Sequence, residues 1–220
     1  MCLTMDNIKL KICGLKNESN ILEVIKHSPD YIGFVFCKNS LRDASGMLSH
    51  EFTSALPSDI KKVGVFVDDS EGRIINYIAL YNLDFVQLHG NESPEYCERI
   101  KKYCRIIKAF GVDEHFDFSS TKQYENVCDY FLFDTKTKLH GGSGTIFDHS
   151  LLKNYAGKKE FFLSGGISEL NISEVLGLRS VFSGLIAVDV NSKIETAPGI
   201  KDTTKIVSIK NQLKNHKTHS

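Results

Sequence analysis

At 220 residues, with 41% hydrophobic and 25% charged positions, the chain has the balance of an ordinary soluble globular protein. Its 27 basic and 27 acidic side chains cancel. No global field is therefore left to attract nucleic acid or a membrane surface, and any anionic ligand must be held by local groups. The longest apolar stretches, 31–37 and 185–188, fall far short of the roughly 18 residues that a membrane span needs. The opening MCLTMDNIKLK carries no apolar core with a small-residue cleavage site, so the expected location is the cytoplasm. Cysteines at 2, 13, 37, 97, 104 and 128 form no Cys-x-x-Cys pair, and no His-x-x-x-His accompanies them, which argues against structural zinc.

The first β-branched run, 8–12, is followed by an amphipathic stretch at 20–26 and a second run at 31–36. A third run at 63–67 precedes a helical pattern over 71–81, in which Ile74, Ile75, Ile78 and Ala79 share a face. The fourth, 85–88, leads to Ser93-Pro94-Glu95, a capping serine before an N1 proline. Runs at 105–109, 130–133, 161–163 and 187–190 complete eight, and 202–213 supplies a last helix before a polar tail at about 215–220. Starts about 20 to 30 residues apart match a strand plus a crossover helix, and runs without alternation predict strands buried on both faces. Eight such units in residues 1–220, with no linker between them, predict a single-domain (β/α)8 barrel over an open doubly wound sheet.

Catalytic groups of a parallel barrel sit where strands end. Here the ends are Cys13, Phe36 before Arg42, Asp68, Gln87-Leu88-His89, Lys108-Ala109-Phe110, Asp134, Ser164-Gly165-Gly166 and Asp189. Two glycine-bearing loops follow the sixth and seventh runs, Gly141-Gly142-Ser143-Gly144 and Gly165-Gly166, the latter leading into a helix at Asn171. Glycine admits close backbone approach and a helix N-terminus adds positive potential, so the pair predicts an anion cradle; Gly-Lys-Ser/Thr, the mark of a nucleotide-hydrolysing loop, is absent. Cys13 and Asp134, a thiol and a carboxyl from the first and sixth strands, could divide proton abstraction and donation across the mouth. On spacing alone a cysteine ending a strand is more often a packing residue than a catalyst.

The ordered set of segments Lys11-Ile-Cys-Gly-Leu, Ile32-Gly-Phe-Val-Phe with Ser40-Leu-Arg, Val63-Gly-Val-Phe-Val, Val86-Gln-Leu-His-Gly, Phe133-Asp134, Gly141-Gly-Ser-Gly, Gly165-Gly166, and Val188-Asp-Val-Asn-Ser with Glu195-Thr-Ala-Pro-Gly-Ile-Lys-Asp resembles the phosphoribosylanthranilate isomerase family of tryptophan biosynthesis, over about residues 8–206. The resemblance implies an Amadori rearrangement of a small phosphosugar substrate, with Asp134 as general acid and Cys13 as general base. It further implies Arg42 on the anthranilate carboxylate, His89 beside the aromatic ring, Gly142, Gly144, Gly165 and Gly166 around the phosphate, and Asp189 and Ser192 at the last strand. No redox change occurs, so neither cofactor nor metal is implied; a monomer or homodimer is expected. This sequence departs from the family pattern at Asn39-Ser40-Leu41-Arg42, where Lys-Ser-Pro-Arg is usual, at Thr145, where lysine is common, and at Asn191-Ser192-Lys193, where Ser-Ser-Gly is frequent. A pentose-phosphate epimerase would need a His-x-Asp metal pair that no strand end supplies. A silent metabolite-binding barrel would need neither Cys13 nor Asp134.

Overall fold

The structure is a computed structural model that describes residues 8–135 and 149–216. Eight parallel strands close into a barrel in sequence order: β1 (Lys9–Ile12), β2 (Tyr31–Val35), β3 (Lys61–Phe66), β4 (Phe85–Leu88), β5 (Arg105–Val112), β6 (Tyr130–Thr135), β7 (Phe161–Leu163) and β8 (Leu185–Val190). Closure runs through β1 and β8, where Lys11 pairs with Asp189 and Ile12 with Val190. The predicted barrel is the observed one. Strand ends shift by a few residues: β5 continues to Val112 and β6 carries Asp134 within it rather than after it.

Around the barrel lie α1 (Glu18–Ile25), α2 (His50–Ala55), α3 (Glu71–Leu80), α4 (Pro94–Lys101), α5 (Ile172–Gly177) and α6 (Thr203–His216). Local chemistry sets their starts. Asn17, Ser49, Ser70 and Ser93 each accept a backbone N–H from the first turn of α1 to α4, satisfying a donor that the helix cannot. The core-facing stripe of α3 differs from expectation: Ile74 is buried, Ala79 is exposed, and Tyr77 and Tyr81 pack on Phe36 with centroids 4.9 and 4.7 Å away. After β5 and β6 come 3₁₀ segments, Phe118–Tyr124 and His149–Asn154, in place of α-helices. Asp117 explains the first, because its carboxylate bonds the amide of Ser119 at 2.9 Å and its carbonyl accepts from the Ser120 hydroxyl at 2.7 Å, local bonds that compete with a helix. The last helix runs to His216, past Asn215, where a frayed tail was expected.

Side chains two residues apart on a strand share a face, so Lys11 and Cys13, Gln87 and His89, Leu132 and Asp134, and Ala187 and Asp189 point into the barrel. Its floor is aromatic. Tyr31, Phe85, Tyr130 and Phe162 meet edge-on or tilted, with centroids 5.1 to 6.0 Å apart. Ahead of three of these rings stands an aspartate: Asp30, Asp84 and Asp129 accept the amides of Leu10, Lys62 and Ile106, each at 2.8 Å. The floor is thereby stapled from the N-terminal side, and the opposite end is left to the loops.

Candidate active site

Cys13 sits just beyond β1, buried, with its amide bonded to the Val190 carbonyl at 2.9 Å. Room for the thiol comes from Gly33 on β2, where a Cβ would lie 2.7 Å from the Cys13 sulfur. One layer deeper, Lys11 is wholly enclosed and its Nζ donates to Asp189 Oδ2 at 2.8 Å, across the β1–β8 seam. Burial works to strip the lysine of its proton, but Asp189 and Cys13 outweigh it and hold the group above its ordinary value, charged. The same burial pushes the Cys13 thiol up, and the charge of Lys11 pulls it back, with Asp189 and Lys201 acting in opposite senses. Asp189 is raised by burial against the pull of Lys11, and Asp134 and His89 also reach it electrostatically.

Opposite, Asp134 is partly exposed on β6, with Oδ1 accepting the amide of Thr135 at 2.8 Å and Oδ2 3.5 Å from His89 Nε2. His89 in turn meets Gln87 through Nδ1, 2.8 Å from the amide nitrogen, so a β4 pair braces the ring beside the acid. Next to Asp134, Thr135 touches the turn after β7. Gly165 and Gly166 have φ of +96° and +69°, and a Cβ on Gly165 would lie 2.2 Å from Thr135 Oγ1, so this turn requires glycine. Asn171 fixes the loop, accepting from the Ser168 amide at 2.8 Å and donating to the Gly166 carbonyl at 3.1 Å. The helix that follows, α5, has only six residues. Gly142, Gly144 and Thr145 lie outside the described residues.

Arg42 does not wait unpartnered at the mouth. Its Nε and Nη2 donate to Glu195 at 2.9 and 2.6 Å, a fork that uses one edge of the guanidinium. Glu195 opens a hairpin of β9 (Glu195–Ala197) and β10 (Ile200–Lys201), an element that follows β8 and was not anticipated. Gly199, at φ +86°, makes its turn and donates to Glu195 Oε1 at 3.0 Å. Buried Lys201 completes the knot, reaching Glu195 at 2.7 Å and Asn191 Oδ1 at 2.8 Å. Burial would raise the Glu195 carboxyl, but Arg42 and Lys201 more than reverse this and hold it below its usual value. Gly14, at φ +75°, lets Asn191 and Arg42 close in, since a Cβ there would meet them at 2.5 and 2.7 Å. Ser192 stands half-buried at the start of the short turn between β8 and the hairpin. Cys13, Asp189, Arg42 and Ser192 thus cluster around the β1–β8 seam, while Asp134, His89, Gly165 and Gly166 form the other side.

Residues 10–212 match the family model described as N-(5'-phosphoribosyl)anthranilate (PRA) isomerase. The chain belongs to the phosphoribosylanthranilate isomerase family. It is 39% identical over 207 residues to the N-(5'-phosphoribosyl)anthranilate isomerase of Parabacteroides distasonis, covering 93% of this chain and 92% of that protein. Its fold is similar to the crystal structure of the Thermotoga maritima phosphoribosyl anthranilate isomerase, with a TM-score of 0.85 at 33% identity over 94% of this chain and 99% of the other. A further isomerase structure, in complex with reduced 1-(o-carboxyphenylamino)-1-deoxyribulose 5-phosphate, matches with a TM-score of 0.81 at 31% identity, over 94% and 99% of the two chains.

At Leu41, where the resemblance led to the expectation of proline, the side chain is exposed and the backbone carbonyl accepts from Lys16 Nζ at 2.7 Å. Asn191, where the resemblance led to the expectation of serine, receives the Lys201 ammonium. Sequence reasoning gave no role to Lys11, Gly33, Gln87, Glu195 or Lys201, although all stand in quoted segments. For Lys11 and Gln87 a signal existed: each precedes an assigned residue by two, which on a strand means the same face. For Glu195 there was none, since its partner Arg42 is 153 positions away.

Proposed function

We propose that the chain isomerises N-(5'-phosphoribosyl)anthranilate to 1-(o-carboxyphenylamino)-1-deoxyribulose 5-phosphate, with Asp134 as the acid and Cys13 as the base. The observation that carries the assignment is the division of one barrel mouth: a buried thiol above a lysine on one side, and a partly exposed carboxyl beside a histidine on the other. Asp134 gives its proton to the furanose oxygen as the C1–O bond breaks, and the anilino nitrogen lone pair forms the C1=N bond of an iminium ion. Cys13 as thiolate then takes the C2 proton, and the C–H electron pair moves into C1=C2 to leave an enolamine, which tautomerises to the ketone. The electron count of the substrate is unchanged throughout, so the reaction calls for no redox partner.

Positioning follows from the two flanks. Arg42, its Nε edge committed to Glu195, presents its other edge, one Nη1 and one Nη2 proton, to the anthranilate carboxylate. The left-handed Gly165-Gly166 turn brings backbone to the sugar phosphate beside Asp134. His89 lines the aromatic end next to the acid. Asp189 stands by the base through Lys11, and Ser192 starts the turn that follows β8. The test is direct: the labile substrate is generated in situ from anthranilate and phosphoribosyl pyrophosphate, and the loss of its fluorescence is followed on adding the protein. A rate no higher than that of spontaneous decay would sink the reading.

A further inference from the structure

Among the described residues three buried lysines pair with carboxylates, Lys11 with Asp189, Lys108 with Glu92 and Lys201 with Glu195, and the first two pairs are built differently. Lys108 and Glu92, 3.0 Å apart, form a closed knot: the ammonium also donates to the carbonyls of Leu88, Gly90 and Ala109, at 3.2, 2.7 and 3.1 Å. Both Glu92 oxygens take further backbone amides, from Asp68 and Gly90 at 3.0 to 3.1 Å. That is how a structural ion pair satisfies itself. Lys11 has no such set of carbonyls. Among the described residues its ammonium donates to Asp189 Oδ2 alone, and Asp189 Oδ1 is buried with no hydrogen-bond partner. Cys13 lies two residues on along the same face of β1, and the ammonium's charge works against the rise that burial imposes on the thiol.

We propose that Lys11 is a positioning residue for the base: its buried ammonium, oriented by Asp189 through their shared strand register, lies beneath the Cys13 thiol and balances the negative charge formed when that thiol gives up its proton. The proposal rests on reading Cys13 as the base. A thiol enclosed as Cys13 is loses the water that would otherwise solvate a thiolate, and a fixed cation replaces that solvation. The other charges that face it do not serve in the same way. Asp189, from β8, opposes thiolate formation. Lys201, from β10, helps, but is committed to Glu195 and Asn191. Arg42 is tied to Glu195, and Asp134 and His89, from β6 and β4, act on Asp189. Asp189 has a corresponding part: it pins the ammonium in place, and its own charge is the reason the lysine stays protonated when enclosed.

The experiment reads Cys13 itself. Alkylation by iodoacetamide is followed across pH by mass spectrometry of the peptide that carries Cys13, in the wild type, in Lys11→Met and in Lys11→Met/Asp189→Asn. The single variant should move the midpoint of Cys13 reactivity upward by about one to three pH units, the size of effect expected for one close charge. Its kcat at neutral pH should fall by about tenfold for each unit, with KM moving less. The double variant, which strands neither charge and is read alone if the single one does not fold, should move the midpoint upward by less. A midpoint that stays at the wild-type value in the single variant, or returns to it in the double, overturns the proposal, because Lys11 would then be only the counter-ion of Asp189. Cys13→Ser, assayed alongside, separates the two levels: wild-type kcat there removes the base and this proposal with it, while a kcat loss together with an unmoved alkylation midpoint removes Lys11 alone.

Discussion

The two ends of the barrel are made of opposite materials. At the floor, four aromatic rings interlock, Arg105 lies over Phe85 and Tyr130 at 4.6 and 5.3 Å, and three aspartates staple backbone amides of neighbouring strands. At the mouth stand Lys11, Lys201, the Cys13 thiol, the carboxyls of Asp134, Asp189 and Glu195, His89 and Arg42, with Gln87 Oε1 and Asp189 Oδ1 buried and unpartnered among the described residues. The floor gains stability from apolar burial and complete hydrogen bonding, whereas the mouth retains buried charge and unsatisfied acceptors that a packed core would exclude. Damage to the floor should therefore register in stability, and damage to the mouth in chemistry.

The strongest break in that comparison is at the proposed acid and base. Asp134→Asn keeps the size but cannot deliver a proton, and Cys13→Ser places a hydroxyl far too weakly acidic to act as base. Each should lower kcat by at least the roughly 10² to 10⁴-fold typical of acid–base catalysis, while thermal melting stays close to that of the wild type. The kcat/KM profile should be bell-shaped, falling on the acid side as the base gains its proton and on the alkaline side as the acid loses it, with both limbs belonging to the pair. Near-wild-type kcat in either variant removes the corresponding residue from the mechanism.

Phe85→Ala should show the reverse pattern. Opening a cavity in the floor costs about 3 to 5 kcal/mol for a buried phenylalanine, which for a chain of this size lowers Tm by on the order of 10 °C. Below the new melting point kcat should remain within a few fold, since the ring lies at the far end from Cys13 and Asp134. A large kcat loss with an unchanged Tm would show that the floor and the mouth are not separable.

How much of this was readable beforehand follows the same divide. That Cys13, Asp134, Gly165 and Gly166 stand at the mouth could be read because strand ends and glycine turns are local in the chain, and the barrel could be counted from its eight runs. The floor was open to reading but went unread: aspartate followed by an aromatic recurs at Asp30-Tyr31, Asp84-Phe85 and Asp129-Tyr130, a repeat that marks alternate strands. What the sequence could not disclose depends on closure. Gly33 matters only because β2 folds beside the Cys13 sulfur, and Asp189 meets Lys11 only where the last strand returns to the first. Arg42 is the clearest case, since the resemblance placed it on the substrate carboxylate and gave no sign that the hairpin takes one edge of its guanidinium.

That edge offers a smaller and sharper probe of the mouth. Arg42→Ala should raise KM roughly ten- to a hundredfold, the equivalent of about 1.5 to 3 kcal/mol for a charged hydrogen bond, and leave weak inhibition by inorganic phosphate nearly unchanged. Equal loss of both would indicate general damage instead. The variant also carries a pH signature in stability. Although burial acts to raise it, the Glu195 carboxyl is held below its usual value by Arg42 and Lys201. A depressed carboxyl stabilises the fold above its unfolded value, near pH 4, and that contribution is lost as pH falls through the folded value. The gap in stability between wild type and Arg42→Ala should accordingly be widest near neutrality and close in acid. Urea denaturation at pH 7 and pH 3.5 measures it, and a gap independent of pH would remove Glu195 as its source.

The smallest effect belongs to a single staple of the floor. Asp84 Oδ2 accepts the Lys62 amide at 2.8 Å, and the Asp84 amide returns a bond to the Lys62 carbonyl at 2.9 Å, so the two strands are clasped just before β4 begins. Its ion pairs with Lys61 and Lys62 are long, 3.8 and 3.9 Å, and the carboxylate is partly exposed, so charge contributes little. What Asp84→Ala removes is an acceptor for a largely buried amide, at a cost of about 1 to 2 kcal/mol, or roughly 2 to 8 °C in Tm. Asp84→Asn keeps an acceptor oxygen in the same place and should recover most of that loss, although it abolishes the charge. Both variants should keep wild-type kcat and KM, because Asp84 stands at the opposite end of β4 from His89. If Asp84→Asn is as destabilised as Asp84→Ala, the staple works through charge rather than through the bond to Lys62, and the account of the floor as a hydrogen-bonded closure has to be replaced by one based on the lysines around it.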